Sequence, residues 1–322
     1  MGSLLLCTTG FAQSDPPVVA GRDTQVVAVK FKREPKFYLT VHSGYAVALG
    51  STFQFYPDNI TNIAVNMPAG GTPSKQVTYQ AQTRGLGEGF RYGVGLSYVV
   101  NDFINVGIDF DYFHSSISRT RDSSFQQTQT GAGGTATSSF RQQNIISYET
   151  RQFTFAPNIT FKAISRPKFF IYNKVGAIIV LHPDAIQHGN ETDRWSSTSG
   201  QGVVKDSSTS SVSRYDWGIH GPAFGFMGSI GGQVKVTERV RAFAELQFTH
   251  VLYVIKNRIT TNYVVNGQEM VSTLSTSQRE IEFQKNLTDN AYGNNPNQPT
   301  VTVTQRFPLT YVGLQMGLAY RF

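Results

Sequence analysis

Residues 89–112 read GFRYGVGLSYVVNDFINVGIDFDY. Up to Val100 the even positions Phe90, Tyr92, Val94, Leu96, Tyr98 and Val100 are apolar or aromatic, while Gly89, Arg91, Gly93, Gly95 and Ser97 between them are small or polar. Side chains of an extended chain alternate between two faces, so this is a strand with one apolar face. Asn101-Asp102 breaks the run as a tight turn. The alternation then resumes with Ile104, Val106, Ile108, Phe110 and Tyr112 against Asn105, Gly107, Asp109 and Asp111. The pair predicts an antiparallel hairpin with Tyr92 opposite Tyr112 and Leu96 opposite Ile108. Gly93 then faces Asp111, and Arg91 lies diagonal to Asp111, within reach of a long side chain.

The same period of two recurs over residues 36–50, 147–161, 169–181, 222–236, 240–255 and 307–322. The connections sort by length. Asn101-Asp102, residues 164–167 and Thr237-Glu238 are short, whereas 51–84, 119–144, 183–219 and 257–305 are long and polar. Long and short alternate along the chain, as in an up-and-down meander with one set of tight turns and one set of displayed loops. The last long connection carries its own hairpin signal, Asn266-Gly267, between residues 262–265 and 268–271.

The composition narrows the setting. Only 15% of the 322 residues are charged and 12% are aromatic, with a net charge of +7, against about 25% charged in ordinary soluble domains. The longest apolar run, residues 175–181, is far short of the roughly 20 residues of a membrane helix. A chain in a membrane without helices must close its strands on themselves. The expected fold is therefore all-β, an antiparallel up-and-down transmembrane β-barrel of about eight strands with long extracellular loops. Ten strands is the alternative, with the Asn266-Gly267 hairpin set into the wall. The barrel is expected over residues 36–322.

The beginning reads as export. Leu4-Leu5-Leu6-Cys7 resembles the end of an apolar signal core, and Gly10-Phe11-Ala12 gives the small-x-small pattern of a cleavage site, although no Lys or Arg precedes Arg22. Residues 1–12 are expected to be a signal-peptide remnant and 13–35 a periplasmic segment. Cys7, the only cysteine, follows Leu6 rather than a small residue, so a lipoprotein site is not expected.

At the other end Val312, Leu314, Met316, Leu318, Tyr320 and Phe322 alternate with Gly313, Gln315, Gly317, Ala319 and Arg321. This resembles the closing strand of bacterial outer-membrane proteins. With the SLLLCTTGFAQ start, the chain is similar to the OmpA-like and OmpX-like barrel-domain family of the Bacteroidetes type, without a soluble C-terminal peptidoglycan-binding domain. The resemblance implies an outer membrane of a Gram-negative bacterium, lipid and lipopolysaccharide as surroundings, and barrel-assembly machinery that reads Leu318, Tyr320 and Phe322.

Chemistry is sparse. Arg91, Asp109, Asp111, Glu245 and Arg321 fall on inward faces and are expected to form an ion network that fills the lumen. The glycines at 85, 87, 89, 93 and 95 precede no helix, so they fit a narrow lumen better than a phosphate. His114, Ser116 and Glu149 superficially resemble the set of an outer-leaflet lipid A deacylase, but ordinary rim polarity accounts for them. His182, Asp184 and His188 sit in a loop without fixed metal geometry. No catalytic residue, cofactor or metal is assigned.

Basic residues collect at the short-turn end: Lys30, Lys32, Arg33 and Lys36, then Lys162, Arg166 and Lys168, then Lys235, Arg239 and Arg241. They are not on a helix or an aromatic platform, so nucleic acid is not an expected partner. The expected function is non-enzymatic: a barrel displaying loops for adhesion, envelope integrity or association with other outer-membrane components. A lipid-modifying enzyme and a small porin-like channel are the alternatives. Aromatics on the long connections, among them Phe53, Phe55, Tyr56, Trp195, Tyr215, Trp217, Tyr263 and Phe283, are the candidate contacts for an extracellular or outer-membrane protein.

Overall fold

The computed structural model describes residues 36–49, 60–79, 86–131, 134–166, 168–199, 201–202, 204–219, 221–287, 295–304 and 306–322. The expected signal remnant 1–12, the segment 13–35, and Lys30, Lys32, Arg33, Phe53, Phe55, Tyr56 and Gly85 lie outside the described residues.

The strands, in chain order, are β1 (Phe37–Ala48), β2 (Ile60–Met67), β3 (Ser74–Tyr79), β4 (Gly89–Val99), β5 (Ile104–Gly131), β6 (Gly134–Ser165), β7 (Phe169–Thr198), β8 (Val204–Ile219), β9 (Ala223–Lys235), β10 (Val240–Val265), β11 (Gln268–Glu269), β12 (Glu280–Gln284), β13 (Thr300–Val303) and β14 (Arg306–Arg321). One short helix, α1 (Thr276–Arg279), precedes β12. The opening hairpin pairs as its turn predicts: Tyr92 opposite Tyr112, Leu96 opposite Ile108 and Gly93 opposite Asp111.

Antiparallel pairing runs β1–β4–β5–β6–β7–β9–β10–β14 and returns to β1, a closed ring of eight strands. The ring is staggered. From His42 through Gly93, Asp111 and Thr154 the register reaches Val180 on β7. From His42 through Gly317, Phe243 and Gln233 it reaches Phe170 on the same strand. The difference, 180 against 170, is a stagger of ten residues. At about 3.3 Å per residue and about 4.8 Å between strands, ten residues around eight strands give a tilt of roughly 40°.

Short turns close one end. At the first, Asn101 Oδ1 accepts from the backbone N–H groups of Phe103 (2.8 Å) and Ile104 (2.7 Å), which locks the connection between β4 and β5. At the third, the Thr237 hydroxyl accepts from Val240 N at 3.0 Å.

The other end corrects the sequence reading. Residues 119–144 and 183–219 are not loops. β5 and β6 stay paired up to Gly131 opposite Gly134, and β7 continues against β6 and β8 to Thr198. β8 and β9 share one lane between β7 and β10, interrupted near Gly221, whose φ is +59°. Segment 51–84 holds the β2–β3 hairpin, and β2 runs parallel to β5. These extensions carry polar side chains on both faces, so alternation cannot report them. Backbone pairing and hydroxyl ladders hold them, with Thr128 and Thr137 oxygens 3.5 Å apart and those of Thr130 and Thr135 3.3 Å apart. At the Asn266-Gly267 turn, φ values of +49° and +82° are the left-handed pair that a two-residue hairpin needs. β11 returns for only two residues.

Each ring strand changes character along its length. On β5 the outward residues are apolar through Val106, Ile108, Phe110 and Tyr112, then turn polar at His114, Ser116 and Ser118. The inward residues do the reverse, with Asn105, Asp109 and Asp111 followed by Phe113 and Ile117. On β6 the outward switch falls between Phe153 and Arg151. On β10 the inward Glu245, Gln247 and Thr249 give way to Val251, Tyr253 and Ile255. The apolar face therefore passes from the outside of the ring to its inside at one level.

Candidate functional site

The inside of the ring is filled in layers. Small inward residues make the room. A Cβ at Gly93 would collide with Asp111 and the His42 ring, and one at Gly231 would stand 2.6 Å from the Tyr172 hydroxyl. Into these gaps fold two linked clusters. Arg91 forms an ion pair with Asp111, whose other oxygen lies 2.6 Å from His42 Nε2. Lys174 Nζ bridges Asp109 at 3.2 Å and Glu245 at 2.9 Å. Asn158 donates to Asp109 at 3.0 Å, while the Tyr172 hydroxyl, at 2.8 Å, and Gln315 donate to Glu245. Every carboxylate is thus paired and hydrogen-bonded, which a buried charge requires.

Four of the five expected lumen charges, Arg91, Asp109, Asp111 and Glu245, belong to these clusters. Arg321 is inward too but sits at the short-turn mouth, its guanidinium 5.4 Å above the Tyr38 ring. The sequence reading missed Lys174, His42 and Tyr172. Charge balance could have found the lysine, because three carboxylates with Arg91 alone leave a buried excess of negative charge. On β7, Lys174 alternates in step with inward Phe170 and Tyr172.

Below the clusters lies a cavity of about 50 Å³ lined by Thr40, Asn105, Asn158, Lys174 and Gln233, with Tyr38, Phe170 and Phe243 toward the mouth. Above them apolar and aromatic side chains predominate, with the buried Gln152 accepting from the Tyr253 hydroxyl among them. Phe113 stacks on Tyr311 at 5.1 Å, and Met227, Val251, Tyr253, Ile178 and Leu309 pack with them.

The short-turn end carries the expected cations, several set over aromatic rings. Lys36 stands over Tyr98 (5.7 Å), and Lys162 and Arg241 over Phe170 (5.4 and 5.5 Å). Arg239 donates to the Tyr320 hydroxyl at 3.3 Å, and Lys235 pairs with Glu238 at 2.8 Å. Leu318, Tyr320 and Phe322 all face outward, and Phe322 stacks on Phe37 at 5.9 Å and on Tyr320 at 6.3 Å.

At the upper edge of the outer apolar belt, Ser116 is directly opposite Glu149. His114 Nδ1 is 3.8 Å from Glu149, but Arg151 already donates two hydrogen bonds to that carboxylate, at 2.8 and 2.6 Å. A base needs its own orienting acid, and here the arginine holds it. His182, Asp184 and His188 lie along β7, and no group of three potential metal ligands occurs among the described residues.

The described candidate contact aromatics separate, with Tyr215 half-buried on β8. Trp195 is 54% exposed and lies against Phe140 with ring centroids 4.5 Å apart. Trp217, expected on a displayed loop, is only 8% exposed. It points inward from β8 into the top of the apolar plug, where Phe283 packs 6.1 Å away and Arg258 lies 5.5 Å over its ring. Its strand is part of the wall, which is why the indole is covered. Tyr263 is half-buried on β10.

No family model and no curated protein matches the chain. Among solved structures it is similar to CarO2 of Acinetobacter baumannii, at 12% identity over 88% of this chain and 99% of that one, with a TM-score of 0.23. It is also similar to the outer membrane protease OmpT of Escherichia coli (8% identity, 90% and 95% covered, TM-score 0.26). A third is an anion-selective porin from Comamonas acidovorans (8%, 89% and 98%, TM-score 0.12). Likeness of this degree transfers no activity, substrate or partner.

Proposed function

We propose that the chain is a non-enzymatic outer-membrane β-barrel of eight membrane-crossing strands, whose projecting strands present a recognition surface for adhesion, envelope integrity or association with other outer-membrane components. One observation carries this reading: the ring is apolar outside and charged inside over one band, and apolar inside and polar outside above it. A water-soluble ring would bury its apolar face throughout. Only a lipid surrounding makes the lower band stable, and only water makes the upper one so.

The dimensions agree. From Phe37 on β1 to Leu49 just past its end the outward residues are apolar except for Ser43. Twelve steps of about 3.3 Å at a tilt of roughly 40° span about 30 Å, the thickness of a bilayer's hydrocarbon core. Tyr98, Tyr320, Phe322, Phe161 and Phe169 edge the lower side of the belt, and Phe90, Tyr112 and Phe153 the upper. Aromatic girdles at both interfaces suit such a wall. In this orientation the basic short-turn end faces the periplasm, and its cations can meet phospholipid headgroups.

Single cysteines placed in a Cys7→Ser background test the reading. A membrane-impermeant maleimide on intact cells should label Ser118→Cys and leave Leu96→Cys untouched. Equal labelling at both positions would exclude a lipid-covered belt.

A further inference from the structure

Above the plug, the extensions of β5, β6, β7 and β8 share an inner face, ordered in rows by the strand register. One row sets Arg121, Asn144, Glu191 and Ser211 side by side, and the next sets Ser123, Gln142, Asp193 and Thr209. The third row is apolar, with Val65 of β2, then Phe125, Phe140 and Trp195, and a further polar row, Gln127, Ser138, Ser197 and Lys205, lies beyond it. The inner face thus has a polar floor between the Tyr148–Trp217 level of the plug and an aromatic row.

Two features of the floor are unexplained by folding. Asn144 Oδ1 and Asp193 Oδ1 are shielded acceptors with no hydrogen-bond partner, and such groups are costly unless a donor arrives. Gln142 is already committed to Glu191, and burial together with the neighbouring Asp193 pushes the Glu191 carboxyl above its ordinary value. The aromatic row has the opposite character: Trp195 is more than half exposed although large indoles prefer cover.

We propose that this inner face binds a saccharide, its C–H faces stacked on Trp195 and Phe140 and its hydroxyls drawing the shielded Asn144 and Asp193 side chains out to accept from them. A hydroxyl donates and accepts at once, so a sugar satisfies orphan acceptors that an acyl chain leaves bare. With Glu191 and Asp193 against Arg121, the floor has no excess of positive charge to hold a phosphate backbone. A peptide strand would add to a sheet edge through its backbone, whereas the unused groups here are side chains on a face. The proposal rests on the reading that these extensions stand outside the membrane, which the Ser118 labelling tests separately.

The chain has two tryptophans, and the buried one is removable. In Trp217→Phe, folded in detergent micelles, emission reports Trp195 alone. Maltoheptaose, chitohexaose and the core oligosaccharide released from lipopolysaccharide are titrated to about 10 mM, a range that captures weak single-site binding. At least one should shift the emission to the blue and show saturation transfer to its sugar protons. With Trp217 restored, Trp195→Ala, Asn144→Ala and Asp193→Ala should each weaken the affinity read from that transfer at least about tenfold, a loss of about 1.4 kcal/mol or more. Trp195→Phe should retain most of it. Unboiled-gel mobility checks that each variant is folded, so a misfolded Trp195→Ala leaves Trp195→Phe and the two floor variants to decide. Silence with all three sugars, or unchanged binding by the folded variants, overturns the proposal.

Discussion

Phe37 and Phe322 exchange both backbone hydrogen bonds, Phe37 N to Phe322 O at 3.3 Å and Phe322 N to Phe37 O at 3.0 Å, and their rings stack with an interplanar angle of 18°. The first and last residues of the ring thus fasten its seam. Deleting Phe322 removes both bonds and the stacking at the place where β1 and β14 must meet. The expected outcome is a smaller heat-modifiable, folded fraction on unboiled gels. An unchanged folded yield would show that the seam closes without it.

Asp111→Ala should cost more than Asn101→Ala. The first strands Arg91 inside the ring and removes the partner of His42, and breaking a buried pair costs about 3–5 kcal/mol. The second loses two bonds of an exposed turn, on the order of 1 kcal/mol. Urea unfolding in detergent reads the difference, and equal midpoints would contradict the assignment of Asp111 to a buried pair.

Gly93→Ala and Gly228→Ala differ by one methyl group each but should differ in effect. At Gly93 the methyl meets Asp111 and His42, whereas at Gly228 nothing lies within 4 Å. Overpacking at the first should cost about 1–3 kcal/mol, and the second should stay within about 0.5 kcal/mol of wild type. Thermal midpoints of the two variants test this directly.

The filled lumen predicts electrical silence. Eight strands leave an interior that side chains can fill, and here Lys174, Arg91 and the Phe113–Tyr311 stack do so. Planar-bilayer recordings of the purified protein should show no stable open state. Large, steady conductance would mean that the plug moves.

No lipid hydrolase activity is expected from His114 and Ser116, because Arg151 engages the Glu149 carboxylate. Lipid A from cells with and without the protein should carry the same acyl pattern. An acyl chain lost in expressing cells and restored by Ser116→Ala would make the protein an enzyme.

What the sequence could reveal depended on solvent contrast. Where one face of a strand meets something apolar and the other does not, alternation is loud: the register of Tyr92 with Tyr112 and the pairing of Arg91 with Asp111 followed from residues 89–112 alone. Where both faces are polar the signal vanishes, and residues 119–144 read as a loop although β5 and β6 are paired there throughout. The Asn266-Gly267 turn was legible because its backbone demands those residues. Lys174 was hidden because its partners, Asp109 and Glu245, are 65 and 71 residues away in sequence.

The level at which the apolar face changes sides also acts as a depth gauge. Below it a leucine on the outer wall is an anchor, and a few residues higher on the same strand it would be a liability. In the proposed orientation the wall cannot sink by even one turn of its alternation without drawing Glu149 and Arg151 toward acyl chains. An arginine on the lipid face costs from nearly nothing at the interface up to roughly 2–4 kcal/mol at the midplane. It cannot rise without lifting Phe90, Tyr112 and Phe153 into water. On the proposed reading, the protein is therefore fitted to one bilayer thickness. In a thicker or thinner membrane it is the lipid that must stretch or compress around it.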